Sequence, residues 1–182
     1  RKDIEAGKYE GWDDPRLPTI SALKKRGITA DALRNFWIEL GITQKDISVP
    51  LATLYSHNTK KIDDFAPRIS FVRNPKEIHL EGDYPKSISV PVHPNVESMG
   101  DRKIDVSNSK IYIENSDFGG GKIRLKGFAD FDFDGIKANH VSTERSDKRP
   151  IVHWVSLDSK IEACLIFPND GKLTRIHGVL ER

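Results

Sequence analysis

Two polar residues in the middle of the sequence have the right chemistry to bind an unpaired nucleobase. Arg68 follows a proline where helical periodicity gives way to strands, so its guanidinium can be aimed with little loss of entropy. An arginine fork can hydrogen-bond to an unpaired base or stack on it. Asn95 follows Pro94, and its amide presents a donor beside an acceptor, as the Watson–Crick edge of uracil requires. A salt bridge from Arg68 to Asp63 or Asp64, and a plain Pro-Asn turn, explain the same residues without a ligand.

Two basic segments could contact RNA phosphates. The alternation at 122–126 puts three cations, Arg124 among them, on one face of a strand. Such a face suits a phosphate-binding strip, and equally a solvated surface. The connection that contains Thr43, Gln44 and Lys45 offers a hydroxyl and an ammonium for phosphate or ribose contacts. Contacts of that kind position RNA without reading its sequence. Thr43 could also cap a short helix.

No metal site is predicted. Asp130 opens a run that mimics a calcium loop, but the twelfth position is Val141 instead of a bidentate glutamate. Its alternating phenylalanines are typical of a strand. The six histidines lack zinc-ligand spacing. Cys164 lies between apolar residues and is predicted to be a buried, inert thiol. A single cysteine precludes an internal disulfide and favours a reducing compartment, so we expect the cytoplasm.

The composition is that of an ordinary globular protein. The 182 residues are 37% hydrophobic and 31% charged, with a net charge of +2. No apolar run approaches the roughly 20 residues that a membrane span needs, so no membrane partner is expected. The small net charge does not by itself indicate a nucleic-acid partner, and any RNA surface must be a local arrangement of basic groups. We expect a monomer.

Helices are predicted in the first third and strands in the rest. Thr19 should cap a helix that runs to Arg26, Thr29 should begin a second helix that stops at Gly41, and Pro50 should lie in the first turn of a third. Short strands punctuated by Pro, Gly and Asn predict a barrel or sandwich, with enough strands for two barrels. The predicted strands cover 69–72, 77–80, 87–90, 103–106, 110–113, 122–125, 151–155 and 161–167.

Five blocks resemble one family in order and spacing. They are Gly-Trp-Asp-Asp-Pro-Arg-Leu-Pro-Thr (11–19), Ala-Pro-Arg (66–68), His-Pro-Asn leading to Met-Gly (93–100), Ile-Tyr-Ile-Glu-Asn-Ser-Asp-Phe (111–118) and Ile-Val-His-Trp-Val-Ser (151–156). Together they are similar to the class I glutamyl- and glutaminyl-tRNA synthetases over roughly the whole chain. Residues 54–63 and the glycine loop 119–121 are more similar to the archaeal-type glutamyl branch.

The resemblance implies an α+β fold in two parts. Residues 1–65 would form a helical stem-contact subdomain, and 66–182 two tandem antiparallel β-barrels that bind the anticodon. The proximal barrel would cover about 66–100 plus 172–182, and the distal barrel about 101–171. The glycines at 119–121 replace an insertion that reads the third anticodon base in glutaminyl relatives, so that contact is not carried over. A tight hairpin is predicted there.

The same resemblance implies roles for seven residues in RNA binding. In glutaminyl relatives the position of Arg68 contacts an anticodon base, and that of Arg124 contacts the first anticodon nucleotide. The remaining matches are a loop that reads the middle base, at Pro94 and Asn95, and a segment at the inside corner of the tRNA, at Thr43, Gln44 and Lys45.

The HIGH and KMSKS signatures of the family's catalytic domain are absent from these residues. The resemblance therefore implies a tRNA-binding portion, incomplete at both ends, that has no catalytic residues or cofactor and is inactive alone. The parent enzyme would use ATP and Mg²⁺ to make glutamyl-adenylate and would charge tRNA(Glu), as well as tRNA(Gln) in many archaeal members. The alternatives are the same region of a glutaminyl-tRNA synthetase and a free-standing RNA-binding β-barrel protein.

Overall fold

The computed structural model describes residues 1–41, 48–169 and 171–182. The chain divides into two compact units, one of residues 1–66 with 166–174 and the other of 67–165 with 175–182. Helices dominate the first third and strands the remainder, so the predicted α+β class is confirmed. None of the helices in the described ranges is long and apolar enough to cross a membrane.

Two of the helices begin at a threonine whose hydroxyl caps them. The Thr19 and Thr29 hydroxyls accept hydrogen bonds from the third backbone N–H beyond them, as predicted. Pro50 is the N-cap of the last helix, so it lies just before the first turn, in which it was predicted to lie. Leu23, Ile28 and Leu54 form the small core of this unit. The helices are α1 Lys2–Glu5, α2 Ile20–Lys25, α3 Ala30–Leu40 and α4 Leu51–Ile62.

The proline-rich segment at residues 11–19 is a turn built around one carboxylate. Asp14 is fully buried, and it accepts hydrogen bonds from the backbone N–H groups of Glu10 and Arg16. The Arg16 guanidinium donates to both oxygens of Asp14, at 2.9 and 2.6 Å. These Arg16 hydrogen bonds hold the pKa of Asp14 well below its usual range, although burial opposes them. The segment is therefore held rigid by a buried ion pair.

Within the described ranges twelve strands follow, in three sheets. One sheet has the order β1-β12-β11, β3 pairs with β4, and the largest sheet has the order β10-β5-β2-β8-β7-β6-β9. The strands are β1 Phe71–Arg73, β2 Pro75–Glu81, β3 Ser87–Pro91, β4 Asp101–Asp105, β5 Lys110–Glu114, β6 Gly121–Leu125, β7 Asp130–Phe133, β8 Lys137–Ser142, β9 Ile151–Val152, β10 Trp154–Ser156, β11 Lys160–Asn169 and β12 Lys172–Glu181.

The seven-stranded sheet curls into a nearly closed barrel. Its two end strands, β9 and β10, are separated in the chain by His153 alone, so one short segment pairs with β6 on one side and with β5 on the other. Most pairings are antiparallel, whereas β2–β8 and β6–β9 are parallel. Ile78, Ile111, Leu125 and Phe131 fill the interior with fully or almost fully buried side chains.

The barrel takes its strands from both parts of the predicted division. β2 lies within the range predicted for the proximal barrel, but it pairs with β5 and β8 from the range predicted for the distal one. β1 pairs with β12, both from the proximal range. The division into a proximal and a distal barrel stays a prediction.

Two local predictions are wrong. Cys164 is exposed, because β11 is the edge of its sheet and lies open along most of its length. The glycines at 119–121 do not form a hairpin, since β5 and β6 pair with other strands. Gly120 and Gly121 instead have φ of 74° and 106°, a left-handed backbone that favours glycine. A Cβ on Gly120 would lie 3.3 Å from the carbonyl oxygen of Phe133.

Candidate nucleic-acid interface

A cavity of about 650 Å³ brings two of the predicted RNA-binding residues together. It is lined by the segment before β1, the β3–β4 hairpin, the turn after β6 and the strand segment around His153. Arg68 and Pro94 both line it, although 25 residues separate them in the sequence. We name this cavity the Arg68 cavity.

The backbone on which Arg68 stands is fixed by hydrogen bonds on both sides. The N–H of Arg68 donates to the carbonyl of Val92 at 2.8 Å, and the N–H of Val92 donates to Gly100 at 3.0 Å. Two residues later, the carbonyl of Ser70 accepts from the N–H of Glu181 at 2.9 Å. The Arg68 side chain is exposed. An exposed side chain therefore extends from an anchored backbone beside the cavity.

The loop that carries Pro94 is held by a buried imidazole. His93 is 2% exposed, and its Nδ1 accepts the N–H of Asn95 at 3.1 Å. An accepting Nδ1 places the proton of the neutral ring on Nε2, which has no hydrogen-bond partner among the described residues. Pro94 and Asn95 are exposed on this turn. Pro94 lines the Arg68 cavity, and Asn95 follows it directly.

A second arginine is occupied by protein acceptors. Arg102 donates from Nε and Nη2 to the two carboxylate oxygens of Glu181, at 2.6 and 3.1 Å, and from Nη1 to the carbonyl of Pro91 at 3.0 Å. Glu181 is buried, and its carboxylate also accepts from the N–H of Ser70 at 3.2 Å. This network fixes the wall of the cavity from three elements.

The rest of the lining combines apolar surface with an exposed cation. Trp154 is buried, and its indole N–H donates to the carbonyl of Lys126 at 3.0 Å. The side chain of Lys126 is exposed, and Val90 and Ile104 add apolar surface. A concave apolar site with a few convergent donors suits a flat ring with polar edges. Cations at the rim suit the phosphate attached to it.

Arg124 lies in a different cluster, on β6. Its Nη1 donates to the buried Asp130 at 2.6 Å, and Nη2 donates to the carbonyl of Thr143 at 3.3 Å. On the same strand, Lys122 is paired with Asp147 at 3.1 Å. Two of the three cations predicted to share a face are therefore bound to carboxylates, and the contact of Arg124 with the first anticodon nucleotide stays a prediction.

Asp130 makes this cluster sensitive to acid. Burial raises its pKa, but hydrogen bonds from Ser146 and Arg124 outweigh burial and lower the pKa to about 2. A carboxyl with a depressed pKa in the folded state contributes stability above its unfolded value of about 3.8 and loses that contribution as the pH falls through about 2. We expect the free energy of unfolding of the wild type to fall between pH 4 and 2 by more than that of Asp130→Asn, as measured by urea titration at each pH. Parallel curves for the two proteins would contradict this.

Thr43, Gln44 and Lys45 lie outside the described residues, so their predicted contact with the inside corner of the tRNA stays a prediction.

Sequence reasoning missed the part of the site that comes from distant strands. Arg102, Glu181 and His153 line the Arg68 cavity but were not singled out as site residues in the sequence, and Lys126 was assigned to the strip on β6. Glu181 reaches the cavity because β12 pairs with β1, with Leu180 opposite Phe71. In the sequence, the one signal that could have indicated Glu181 was that its carboxylate ends an apolar run.

Comparisons with known proteins agree with this architecture. Residues 2–64 match the family described as tRNA synthetases class I (E and Q), catalytic domain, and residues 66–148 match the anti-codon binding domain of the same class. The two matches meet where the helices give way to strands.

Curated relatives similar to the chain are named glutamate–tRNA ligase. The relative from Methanosarcina barkeri is 41% identical over 169 residues, covering 87% of this chain and 29% of the relative. Those from Pyrococcus furiosus and Archaeoglobus fulgidus are 36% and 34% identical, covering all of this chain and 34% and 33% of the relative. The chain spans about a third of the length of these relatives. On these matches, the chain belongs to the class I glutamyl- and glutaminyl-tRNA synthetase family.

Proposed function

We propose that the chain is the tRNA-binding part of a glutamate–tRNA ligase and that the Arg68 cavity receives an unpaired anticodon base. The observation that carries this proposal is the convergence of Arg68 and Pro94 on one cavity. The residues that line this cavity all come after position 66, where the match to the anticodon-binding domain begins.

In this proposal each group has a distinct task. Arg68 donates to the base edge or stacks on its face, and Asn95 reads the Watson–Crick edge of the middle base with its amide. The Arg102–Glu181 pair keeps the wall rigid, so little freedom is lost when the base enters. Lys126 neutralises a neighbouring phosphate. Arg124 would contact the first nucleotide through donors that Asp130 leaves available, and Thr43, Gln44 and Lys45 would hold the inner corner.

The whole protein would attach glutamate to tRNA(Glu). Its relatives are named glutamate–tRNA ligase. The family resemblance implies that ATP and Mg²⁺, which form the glutamyl-adenylate, bind outside the 182 residues of this chain. We infer tRNA(Gln) as a second partner on the same resemblance. Such a protein would work in the cytoplasm, as a monomer.

Binding to an anticodon stem-loop should depend on salt. Each phosphate neutralised contributes a slope of roughly −0.7 to −0.9 in a plot of log K against log[salt]. We expect a total slope of about −2 to −4 and micromolar binding, because only a few cations surround the Arg68 cavity. Fluorescence anisotropy with a labelled tRNA(Glu) stem-loop at several salt concentrations measures both quantities. An affinity independent of salt would contradict the proposal.

Two further stem-loops separate the alternatives in the same assay. A stem-loop with a scrambled anticodon should bind more weakly, and equal affinity would favour a general RNA-binding protein. A tRNA(Gln) stem-loop that binds much more tightly than that of tRNA(Glu) would favour a glutaminyl-tRNA synthetase.

A further inference from the structure

A second cavity, of about 520 Å³, lies at the opposite end of β1 from the Arg68 cavity. It is formed where the end of β1, the short helical turn after β5 and the middle of β12 come together. Its polar lining includes Arg73, Asn74, Glu114, Asn115, Arg175 and His177. We name it the Arg73 cavity. Of the described residues that were singled out for RNA binding in the sequence, none lines it.

The central feature of this cavity is an ion pair that is open to solvent on its cationic side. Arg73 donates from Nε and Nη2 to the two oxygens of Glu114, at 3.0 and 2.9 Å. The Arg73 side chain is 55% exposed, whereas that of Glu114 is 19% exposed. A guanidinium has five N–H donors, so the two hydrogen bonds to Glu114 leave the other N–H groups of Arg73 directed elsewhere. Arg73 can therefore keep Glu114 and bind a second acceptor.

The remaining lining is rich in donors. Arg175 and His177 are two residues apart on β12, so they lie on the same face, and both are exposed. The Asn74 and Asn115 side chains add amide donors. The cavity has two guanidinium groups against one carboxylate, and hydrogen bonds from Arg73 keep Glu114 ionised by lowering its pKa. The lining is net positive and carries planar donors, which together suit a phosphate.

We propose that the Arg73 cavity is a second RNA subsite, which binds a backbone phosphate of the strand whose base enters the Arg68 cavity. This rests on the proposed function. Arg73 is five positions after Arg68, a distance of about 16 Å along an extended chain. A single-stranded loop can span that distance.

The ion pair provides variants whose effects should have opposite signs. Glu114→Gln keeps an acceptor for Arg73 but removes the negative charge that repels a phosphate, so the stem-loop should bind about threefold more tightly. Arg73→Gln removes a charged donor, so the stem-loop should bind about tenfold more weakly, with a shallower salt slope. Anisotropy with the tRNA(Glu) stem-loop measures both affinities, and thermal melting shows that each variant is folded.

A purely structural ion pair gives a different pattern. Both variants would then lower the melting temperature and bind RNA like the wild type, and that result overturns the proposal. If Arg68→Ala weakens binding while the two ion-pair variants do not change it, only the second subsite fails. If the wild type binds no stem-loop, the proposed function fails first.

Inorganic phosphate distinguishes an RNA phosphate from a free one. An NMR titration with phosphate should shift the Asn74 and Asn115 amide resonances at millimolar concentration, and the stem-loop should shift the same resonances at micromolar concentration. Shifts with phosphate but not with the stem-loop would overturn the assignment to RNA.

Discussion

Replacing Arg149 by methionine should destabilise the strand-rich unit by about 3–5 kcal/mol, because the change removes a buried guanidinium from beside the buried Asp130 and leaves the carbonyl of Phe131 without its donor. Arg149 is buried, and its Nη1 donates to the carbonyl of Phe131 and to Asp132, both at 2.7 Å. Its Nε donates to Asp147 at 2.6 Å and lies 3.7 Å from the buried Asp130. One guanidinium thus ties the segment before β9 to β7.

Lys122→Met is the matched control, since Lys122 shares the partner Asp147 but is 65% exposed. Exposed ion pairs contribute about 0–1 kcal/mol, so this variant should unfold nearly as the wild type does. Urea denaturation followed by circular dichroism and by tryptophan fluorescence measures both variants. An equal loss of unfolding free energy in the two variants would show that burial does not set the strength of this network.

The second large effect is expected in RNA binding. Arg68→Ala should cost about 1–3 kcal/mol with a cognate anticodon stem-loop, the range for stacking or bidentate contacts to a base. The loss should shrink with a stem-loop whose anticodon is already wrong, because the contact is then missing in the wild type as well. Fluorescence anisotropy with both stem-loops, for wild type and variant, gives the coupling free energy between Arg68 and the anticodon.

Lys45→Ala, measured with full-length tRNAs, supplies the contrast for Arg68→Ala. A phosphate contact positions RNA without reading it, so this variant should weaken the binding of every tRNA about equally. The stability of both variants has to be measured in parallel. If Arg68→Ala lowers the melting temperature but leaves anticodon discrimination unchanged, Arg68 is a structural residue and leaves the site.

The sequence predicted what is decided locally. A threonine hydroxyl can cap only the helix that follows it, so the starts of α2 and α3 were predictable from Thr19 and Thr29. Alternation gave β5 and β6 to within a residue or two. Arg68 and Pro94 were chosen for their chemistry and their resemblance to a family, and the fold places both at one cavity.

Features set by pairing between distant strands were not predictable. The apolar neighbours of Cys164 indicated burial, but exposure depends on β11 being an edge strand. The three glycines indicated a hairpin, yet β5 pairs with β2 and β10 instead. Glu181 joins Arg102 only through the β1–β12 register. Periodicity carries no information about which strands become neighbours.

The segment that closes the barrel also bears on self-association. An open sheet exposes unpaired N–H and C=O groups at both edges, and long, flat edges recruit strands from other molecules. Here both ends of the seven-stranded sheet are pieces of 151–156, two and three residues long, on either side of His153. Edges that short offer almost no template for another chain. The barrel should therefore resist strand-to-strand aggregation, and the long edge strand β11 is the place where such contacts would begin.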